Sequence, residues 1–113
     1  MNKEFVPYEQ ALELKELGFD EECYLTSYFN AESEEFIPTP LWQQVFRWFR
    51  DKKLSDSYVY RYQDRTDGSI NFGYSIIHNY GIEEIRFIKE NYTSYEEAEL
   101  ACLNKLIEII KQK

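Results

Sequence analysis

The sequence predicts an α+β fold in which three helices pack on one face of a mostly antiparallel sheet of three to five strands. Three segments have the periodicity and end signals of helices, and tyrosine-rich runs alternate as strands do. Asp67-Gly68 is a strong hairpin signal between two of those runs. With 113 residues, the chain is predicted to form a single α+β domain over residues 1–113.

The first helix is predicted over residues 7–17. Pro7 suits its first turn, because the N–H that proline lacks would have no partner there. Gly18 is predicted to end the helix in the left-handed conformation. Phe19 then follows at a position from which its ring can fold back on Leu14.

The segment 40–53, PLWQQVFRWFRDKK, contains both tryptophans and is predicted to be the central helix. Pro40 is assigned to the first helical position and Thr39 to the N-cap. The apolar side chains fall within an arc of roughly 160° and predict a helix buried on one side. Phe46 and Trp48 lie at the two borders of that arc, so we expect both to be half-exposed.

Five segments have the alternation or the composition of strands. They are residues 23–29, 36–37, 57–63, 70–78 and 84–89. The short segment 36–37 is followed by proline, which keeps it out of a central position in the sheet. A two-residue loop at 67–68 would place Tyr62 opposite Gly73, where the ring could lie over bare backbone, although a longer loop shifts this register. The same register pairs Val59 with Ile76 and Tyr60 with Ser75.

The last helix begins with a capping box, in which the Ser94 hydroxyl accepts from the N–H of Glu97 and the Glu97 side chain reaches back. Acidic residues in its first turns and Lys111 near its end suit the helix dipole. Its apolar residues cover roughly half of the circumference. We therefore expect it to pack on more than one side or to take part in a homo-oligomer.

The net charge of −8 disfavours direct binding to nucleic acid or to an anionic membrane, because both need a basic footprint. A basic protein partner remains compatible with it. The sequence has no apolar run near the length of a membrane span, and its N-terminal residues lack the apolar core of a signal peptide. The expected location is the cytoplasm.

The residues that often carry chemistry are few and predict no catalytic residue, no metal site and no cofactor. Cys23 and Cys102 are interpreted as buried, inert thiols rather than a disulfide. His78, the single histidine, is interpreted as a strand-end residue bonded to a turn, although a cysteine–histidine pair stays open. Carboxylates in the links and at the start of the last helix are interpreted as solvated charge. A non-enzymatic role is therefore favoured.

Tyr58, Tyr60 and Tyr62 share one face of a predicted strand, and we call them the tyrosine stripe. If helices cover the opposite face, which carries Val59, the stripe is exposed and forms a surface for a protein or ligand. If helices cover the stripe, it belongs to the core. Stacking of nucleic-acid bases on the stripe would need a basic groove, and only Arg61 and Arg65 lie nearby.

The candidate contact surface drawn from these observations comprises five aromatic residues. They are Tyr58, Tyr60, Tyr62, Phe46 and Trp48.

Three blocks of sequence, FVPYEQALELKELGF, PLWQQVFRWFRDK and SYEEAELACLNKLIEIIK, resemble small uncharacterised proteins of Bacteroidales gut bacteria and their prophages. The resemblance covers the three predicted helices, about half of the chain, and the strands match only in general character. It implies a cytoplasmic product of a phage or mobile element and carries no activity or site.

The favoured hypothesis is a non-enzymatic protein-interaction module of phage or mobile-element origin, whose partner is a protein rather than nucleic acid or membrane. One alternative is a small-molecule binder or enzyme with a pocket lined by tyrosine and tryptophan. Another is an acidic mimic of nucleic acid that binds a basic host protein. A homo-oligomer is compatible with all three.

Overall fold

The computed structural model describes residues 5–19, 27–30, 35–38, 40–80 and 83–112, and it has the predicted α+β architecture. Three helices accompany a three-stranded antiparallel sheet, and two further strands form a separate hairpin. In chain order the elements are α1 (Tyr8–Glu16), β1 (Ser27–Asn30), β2 (Glu35–Pro38), α2 (Trp42–Lys53), β3 (Ser55–Gln63), β4 (Ile70–Tyr80), β5 (Glu83–Tyr92) and α3 (Tyr95–Lys111).

The three-stranded sheet has the order β3-β4-β5, with both neighbouring pairs antiparallel. The strands β1 and β2 pair only with each other among the described strands. Short links explain the order, because antiparallel neighbours need only a turn between them. The part of the prediction that concerns residues 20–26, including Cys23, lies outside the described residues.

The end of α1 confirms the predicted glycine cap. Gly18 has φ +99°, its N–H donates to Lys15 O at 3.1 Å, and the N–H of Phe19 donates to Leu14 O at 2.9 Å. These two bonds define a Schellman motif, which satisfies carbonyl groups at the helix end. Phe19 and Leu14 are both buried, and the Phe19 ring meets the Trp48 ring edge-on at 5.4 Å between centroids. The cap therefore anchors α1 to α2.

The helix α2 begins later than predicted. Leu41 is its N-cap residue and the helix spans Trp42–Lys53, so the assignment of Pro40 to the first helical position is wrong. The carbonyl of Pro40 instead accepts from the N–H of Val6 at 2.9 Å, in a short antiparallel contact of two extended segments. Thr39, the predicted N-cap residue, lies outside the described residues.

The register of the β3–β4 hairpin differs from the predicted one by two residues, because the loop is longer. The turn is closed by the N–H of Asp64, which donates to Ser69 O at 2.8 Å, so the predicted loop residues lie inside a larger turn. Tyr60, and not Tyr62, therefore pairs with Gly73. A shift of two residues leaves every side chain on its predicted face. The other two predicted pairs are wrong for the same reason. Val59 lies opposite Tyr74 and not Ile76, and Ser75 lies opposite Tyr58 and not Tyr60.

The helix α3 supplies the largest share of the core. Six of its side chains are buried, and they are Ala98, Cys102, Leu103, Leu106, Ile107 and Ile109. The Ser94 hydroxyl accepts from the N–H of Glu97 at 3.2 Å, as the capping box predicts. The Glu97 carboxylate reaches back one residue further than expected, since it accepts from the N–H of Thr93 at 3.2 Å.

Two of the helices form a layer on the sheet. The helix α3 contacts all three strands, and α2 contacts β3. The main contacts of α1 are with α3 and with β2. The predicted layer of three helices on one face of the sheet is therefore confirmed for α2 and α3 and not for α1. In the described part of the chain, no helix is long and apolar enough to cross a membrane.

Replacing Gly18 by alanine is expected to reduce the free energy of unfolding by about 1 kcal/mol, because alanine must adopt a positive φ there. An added Cβ would meet no atom within 4 Å, so the loss reports the backbone conformation alone. Urea unfolding of Gly18→Ala measures it. Gly18→Asn is the matched control and should lose less, since asparagine tolerates positive φ. Equal stability of wild type and Gly18→Ala would contradict the cap assignment.

Candidate functional site

The helices cover the face of the sheet that carries Val59. Val59 packs against the core, and on the same face of β4 the side chains of Tyr74, Ile76 and His78 are buried. Alternation along the strands then sends the tyrosine stripe to the opposite face. This decides between the two arrangements that the sequence allows. The stripe lies on the side of the sheet away from α2 and α3.

We call that side the open face. Tyr58 is 59% exposed and Ile88 is 64% exposed on it, so the described elements leave it largely uncovered. Its members come from alternate positions of the three strands. They are Asp56, Tyr58, Tyr60, Tyr62, Asn71, Gly73, Ser75, Ile77, Glu84, Arg86, Ile88 and Glu90.

The rings of the tyrosine stripe lie side by side along β3. Ring centroids of Tyr58 and Tyr60 are 5.8 Å apart with an interplanar angle of 47°, and those of Tyr60 and Tyr62 are 6.0 Å apart at 46°. Tilted rings at this spacing contact one another without stacking face to face. The stripe is therefore a continuous aromatic surface.

Gly73 on the central strand makes room for the stripe. It pairs with Tyr60, and a Cβ at Gly73 would lie 3.0 Å from Tyr60 Cζ and 2.9 Å from the carbonyl oxygen of Lys89. No side chain fits there without displacing its neighbours. The Tyr60 ring consequently lies over the glycine backbone and extends across β4 toward β5.

A bulge in β5 receives the hydroxyl groups of the stripe. The β4–β5 register shifts between Phe72 and Tyr74, and Asn91 in the bulged segment has φ +75°. The Tyr60 hydroxyl donates to Glu90 Oε2 at 2.6 Å. The Tyr62 hydroxyl donates to Asn91 Oδ1 at 3.0 Å, and it accepts from the N–H of Asn91 at 3.0 Å. Two rings are thus fixed at both ends.

Burial and the hydrogen bond to Glu90 both raise the pKa of Tyr60 above its ordinary value. Burial is the larger cause, and the negative charge of Glu90 acts in the same direction. Tyr60 therefore stays a neutral hydrogen-bond donor throughout the physiological pH range.

The open face is acidic as well as aromatic. Asp56 and Glu90 border the stripe, and Glu84 lies on β5 beside Arg86, with 3.3 Å between the Glu84 Oε1 and Arg86 Nη2 atoms. Arg86 is the one cation that alternation places on this face among the described residues. The described charges of the face therefore sum to a negative value.

The expectation for Trp48 is wrong, because Trp48 is 4% exposed and belongs to the core. The Phe19 ring packs against it and Lys53 Nζ lies 5.3 Å from its ring centroid. Phe46 is half-buried and stacks on Trp42 with 6.1 Å between centroids. Trp48 therefore leaves the candidate contact surface.

Phe46 and one residue of the stripe, Tyr58, line the same cavity. A cavity of about 200 Å³ is lined by Phe46 from α2, by Tyr58 and Val59 from β3, and by Tyr95 from α3. Of the two central-helix residues in the candidate contact surface, only Phe46 thus shares a cavity with a residue of the stripe.

The residues considered for catalysis are in the interior. His78 Nδ1 lies 2.5 Å from Ser55 Oγ, and neither residue has any solvent exposure. One partner of His78 is therefore a strand residue, Ser55. Burial raises the pKa of the Cys102 thiol to about 12, so Cys102 is a buried, unreactive thiol, as the sequence predicts. Neither His78 nor Cys102 reaches a substrate in this arrangement.

A groove of about 630 Å³ between β5 and α3 was not predicted from the sequence. Its walls include Tyr74, Phe87 and Tyr92 from the sheet and Lys105 from the helix. It brings together residues far apart in the chain, and periodicity within one element cannot reveal such a contact. No group of three histidine, cysteine or acidic side chains suited to a metal ion occurs among the residues that the structure describes.

Comparisons with known proteins find no match. No protein-family model, no curated protein and no solved structure matches the chain.

Replacing Gly73 by alanine is expected to lower the free energy of unfolding by about 2 kcal/mol, since the new methyl group overlaps with backbone and with the Tyr60 ring. Thermal and urea unfolding measure the loss. Asn79→Ala, an exposed position on the same strand, is the control and should change stability by no more than about 0.5 kcal/mol. Equal effects of the two substitutions would contradict the close contact at Gly73.

The half-buried Glu99 on α3 is expected to make stability depend on pH. Burial, followed by the charge of Glu96, raises its pKa from 4.5 to about 7. The folded state therefore favours the protonated acid. The contribution of protonated Glu99 to the free energy of unfolding is fully present below pH 4.5 and is lost as the pH rises through 7.

Glu99→Gln removes this dependence. At pH 8 it should be more stable than wild type by about 1 kcal/mol, after allowance for solvent screening, and at pH 4 the two should be equal. Urea unfolding from pH 4 to pH 8 provides the measurement. Glu16→Gln, at an exposed position of α1, should follow the wild-type curve. A Glu99→Gln curve parallel to that of wild type would rule the assignment out.

Proposed function

We propose that this protein is a non-enzymatic interaction module that binds a protein partner through the open face of its sheet. The observation that carries the proposal is the exposure of a rigid aromatic surface. Tyr58 and Ile88 are more than half exposed, and they lie on one face beside two tyrosines whose hydroxyl groups are bonded to β5. Exposed apolar patches of this kind are typical of protein–protein contacts.

The rigidity of the stripe favours binding. Tyrosine supplies a large contact area, and a ring that is already fixed loses little conformational entropy when a partner covers it. The bonds from Tyr60 to Glu90 and from Tyr62 to Asn91 fix two of the three rings before any partner arrives. Tyrosine is also common among the residues that contribute most to binding energy.

The placement of the other side chains supports binding over catalysis. Cys102, Ser55 and His78 are buried in the core, and the open face carries none of the three. A hydrolase or transferase would need a nucleophile and a base that a substrate can reach. The origin from a phage or mobile element, which the sequence resemblance implies, is part of this proposal, as is a cytoplasmic location.

The test compares an open-face variant with a matched variant on the opposite side. Tyr58→Ser combined with Ile88→Ser removes apolar area from the open face, whereas Gln43→Ser combined with Arg47→Ser changes the exposed side of α2. Each full-length chain is immobilised and incubated with a Bacteroidales cell lysate at physiological salt. The affinity of the captured protein is then measured by surface plasmon resonance.

The open-face variant is expected to bind the captured partner at least about tenfold more weakly, which corresponds to about 1.4 kcal/mol. The α2 variant should bind as wild type does. Circular dichroism confirms that each variant is folded. If no protein is captured by wild type, or if both variants bind equally well, this function is rejected.

A further inference from the structure

We propose that the open face recognises an arginine-bearing basic segment of its protein partner, with guanidinium groups stacked on the tyrosine stripe and bonded to the carboxylates beside it. This inference rests on the proposed function and names the chemistry of the partner. It is drawn from the position of the rings, from the charge on the face, and from the shape of a guanidinium group, which can stack on a ring and donate to a carboxylate.

The stripe offers the faces of its rings to a ligand. The Tyr60 ring lies over Gly73, and its hydroxyl group reaches Glu90 on the next strand but one. The ring crosses the central strand over a glycine backbone, so one side of it lies against the sheet and the other is turned away from the sheet. The negative electrostatic potential of an aromatic ring is on its faces, which is where a cation binds.

Carboxylates stand beside these rings. Glu90 accepts the Tyr60 hydroxyl through Oε2, and a carboxylate has lone pairs for further donors. Asp56 precedes Tyr58 by two residues and lies on the same face of β3. The one described cation of the face, Arg86, already contacts Glu84 at 3.3 Å. A cationic partner would therefore meet aromatic faces and unneutralised acids together.

A guanidinium group fits this combination better than the other ligands of an aromatic surface. It is planar, stacks on aromatic rings and presents a fork of donors to a carboxylate, whereas an ammonium group is compact and strongly hydrated. Phosphates of nucleic acid and acidic peptides would be repelled by Asp56 and Glu90. The net charge of −8 attracts a basic partner over longer distances.

The test titrates model peptides into the full-length protein by isothermal titration calorimetry, with chemical shifts of the tyrosine rings followed by NMR. The peptides are Gly/Ser chains with four arginines, four lysines or four glutamates, and an oligothymidylate serves as the nucleic-acid probe. The arginine peptide is expected to bind about fivefold or more tightly than the lysine peptide, since guanidinium stacking adds to charge attraction. The glutamate peptide and the oligothymidylate should not bind.

Matched variants separate ring stacking from general charge attraction. Tyr58→Phe keeps the ring and should retain the affinity for the arginine peptide, whereas Tyr58→Leu keeps apolar bulk and should lose about fivefold. Glu90→Gln and Glu96→Gln each remove one negative charge, but only Glu90 lies on the open face. Glu90→Gln should weaken binding several-fold more than Glu96→Gln does.

Equal affinity for the arginine and lysine peptides, or equal loss in the two charge variants, would overturn the inference. So would preferential binding of the glutamate peptide or the oligothymidylate. These results leave the proposed function intact as long as capture of a lysate protein still depends on Tyr58 and Ile88. If that capture is independent of the open face, the proposed function fails, and the inference falls with it.

Discussion

Burial of the apolar side of α3 is the interaction on which the other packing depends. This helix contacts all three strands of the sheet and both other helices. Its six buried side chains each contribute roughly 1.5–3 kcal/mol by leaving water, except the smaller alanine and cysteine. Because these side chains occupy more than one side of the helix, the sheet and α1 can pack on the same element. Lys111 on α3 and Glu13 on α1 also approach, at 3.6 Å.

The candidate site exists because the helices bury only one face of the sheet. Two helices cover one face of a three-stranded sheet, and the second face must be made compatible with water by its own side chains. Tyrosine does this, because its ring covers the small residues of β4 while its hydroxyl group finds a polar partner. Gly73 beneath Tyr60, together with Glu90 and Asn91 at its far side, turns a row of large aromatic residues into an ordered surface. The same arrangement leaves aromatic area and negative charge next to each other.

The sequence predicted well those features that depend on neighbouring residues. The Gly18 cap, the Ser94 cap and the alternation of the stripe each follow from interactions within a few positions of the chain, and all three are present. The prediction from sequence was wrong where contacts between residues far apart in the chain determine burial. Trp48 lies at the border of its helix's apolar arc, yet it is buried because Phe19, from the segment that follows α1, packs against its ring.

The candidate site was half predictable for the same reason. The sequence shows the stripe as three tyrosines at every second position and predicts a ring over Gly73, but the ring there is that of Tyr60 and not the predicted Tyr62. Glu90 and Asn91 carried no signal, because their role depends on the bulge and on two strand registers. Loop length between β3 and β4 set the first register, and a turn of several residues has no single sequence signature.

The sequence by itself determined the α+β class with its three helices, the residues that share each strand face, and the net charge of −8. Only the tertiary structure decided which face of the sheet is covered. Val59 and Ile76 favoured one face and the tyrosines with Ile77 favoured the other, so local pattern was balanced between them. The helices cover the face with Ile76 and Tyr74, where their own apolar residues are also buried. The tyrosine face can stay in water, and the hydroxyl groups of Tyr60 and Tyr62 have hydrogen-bond partners across the sheet.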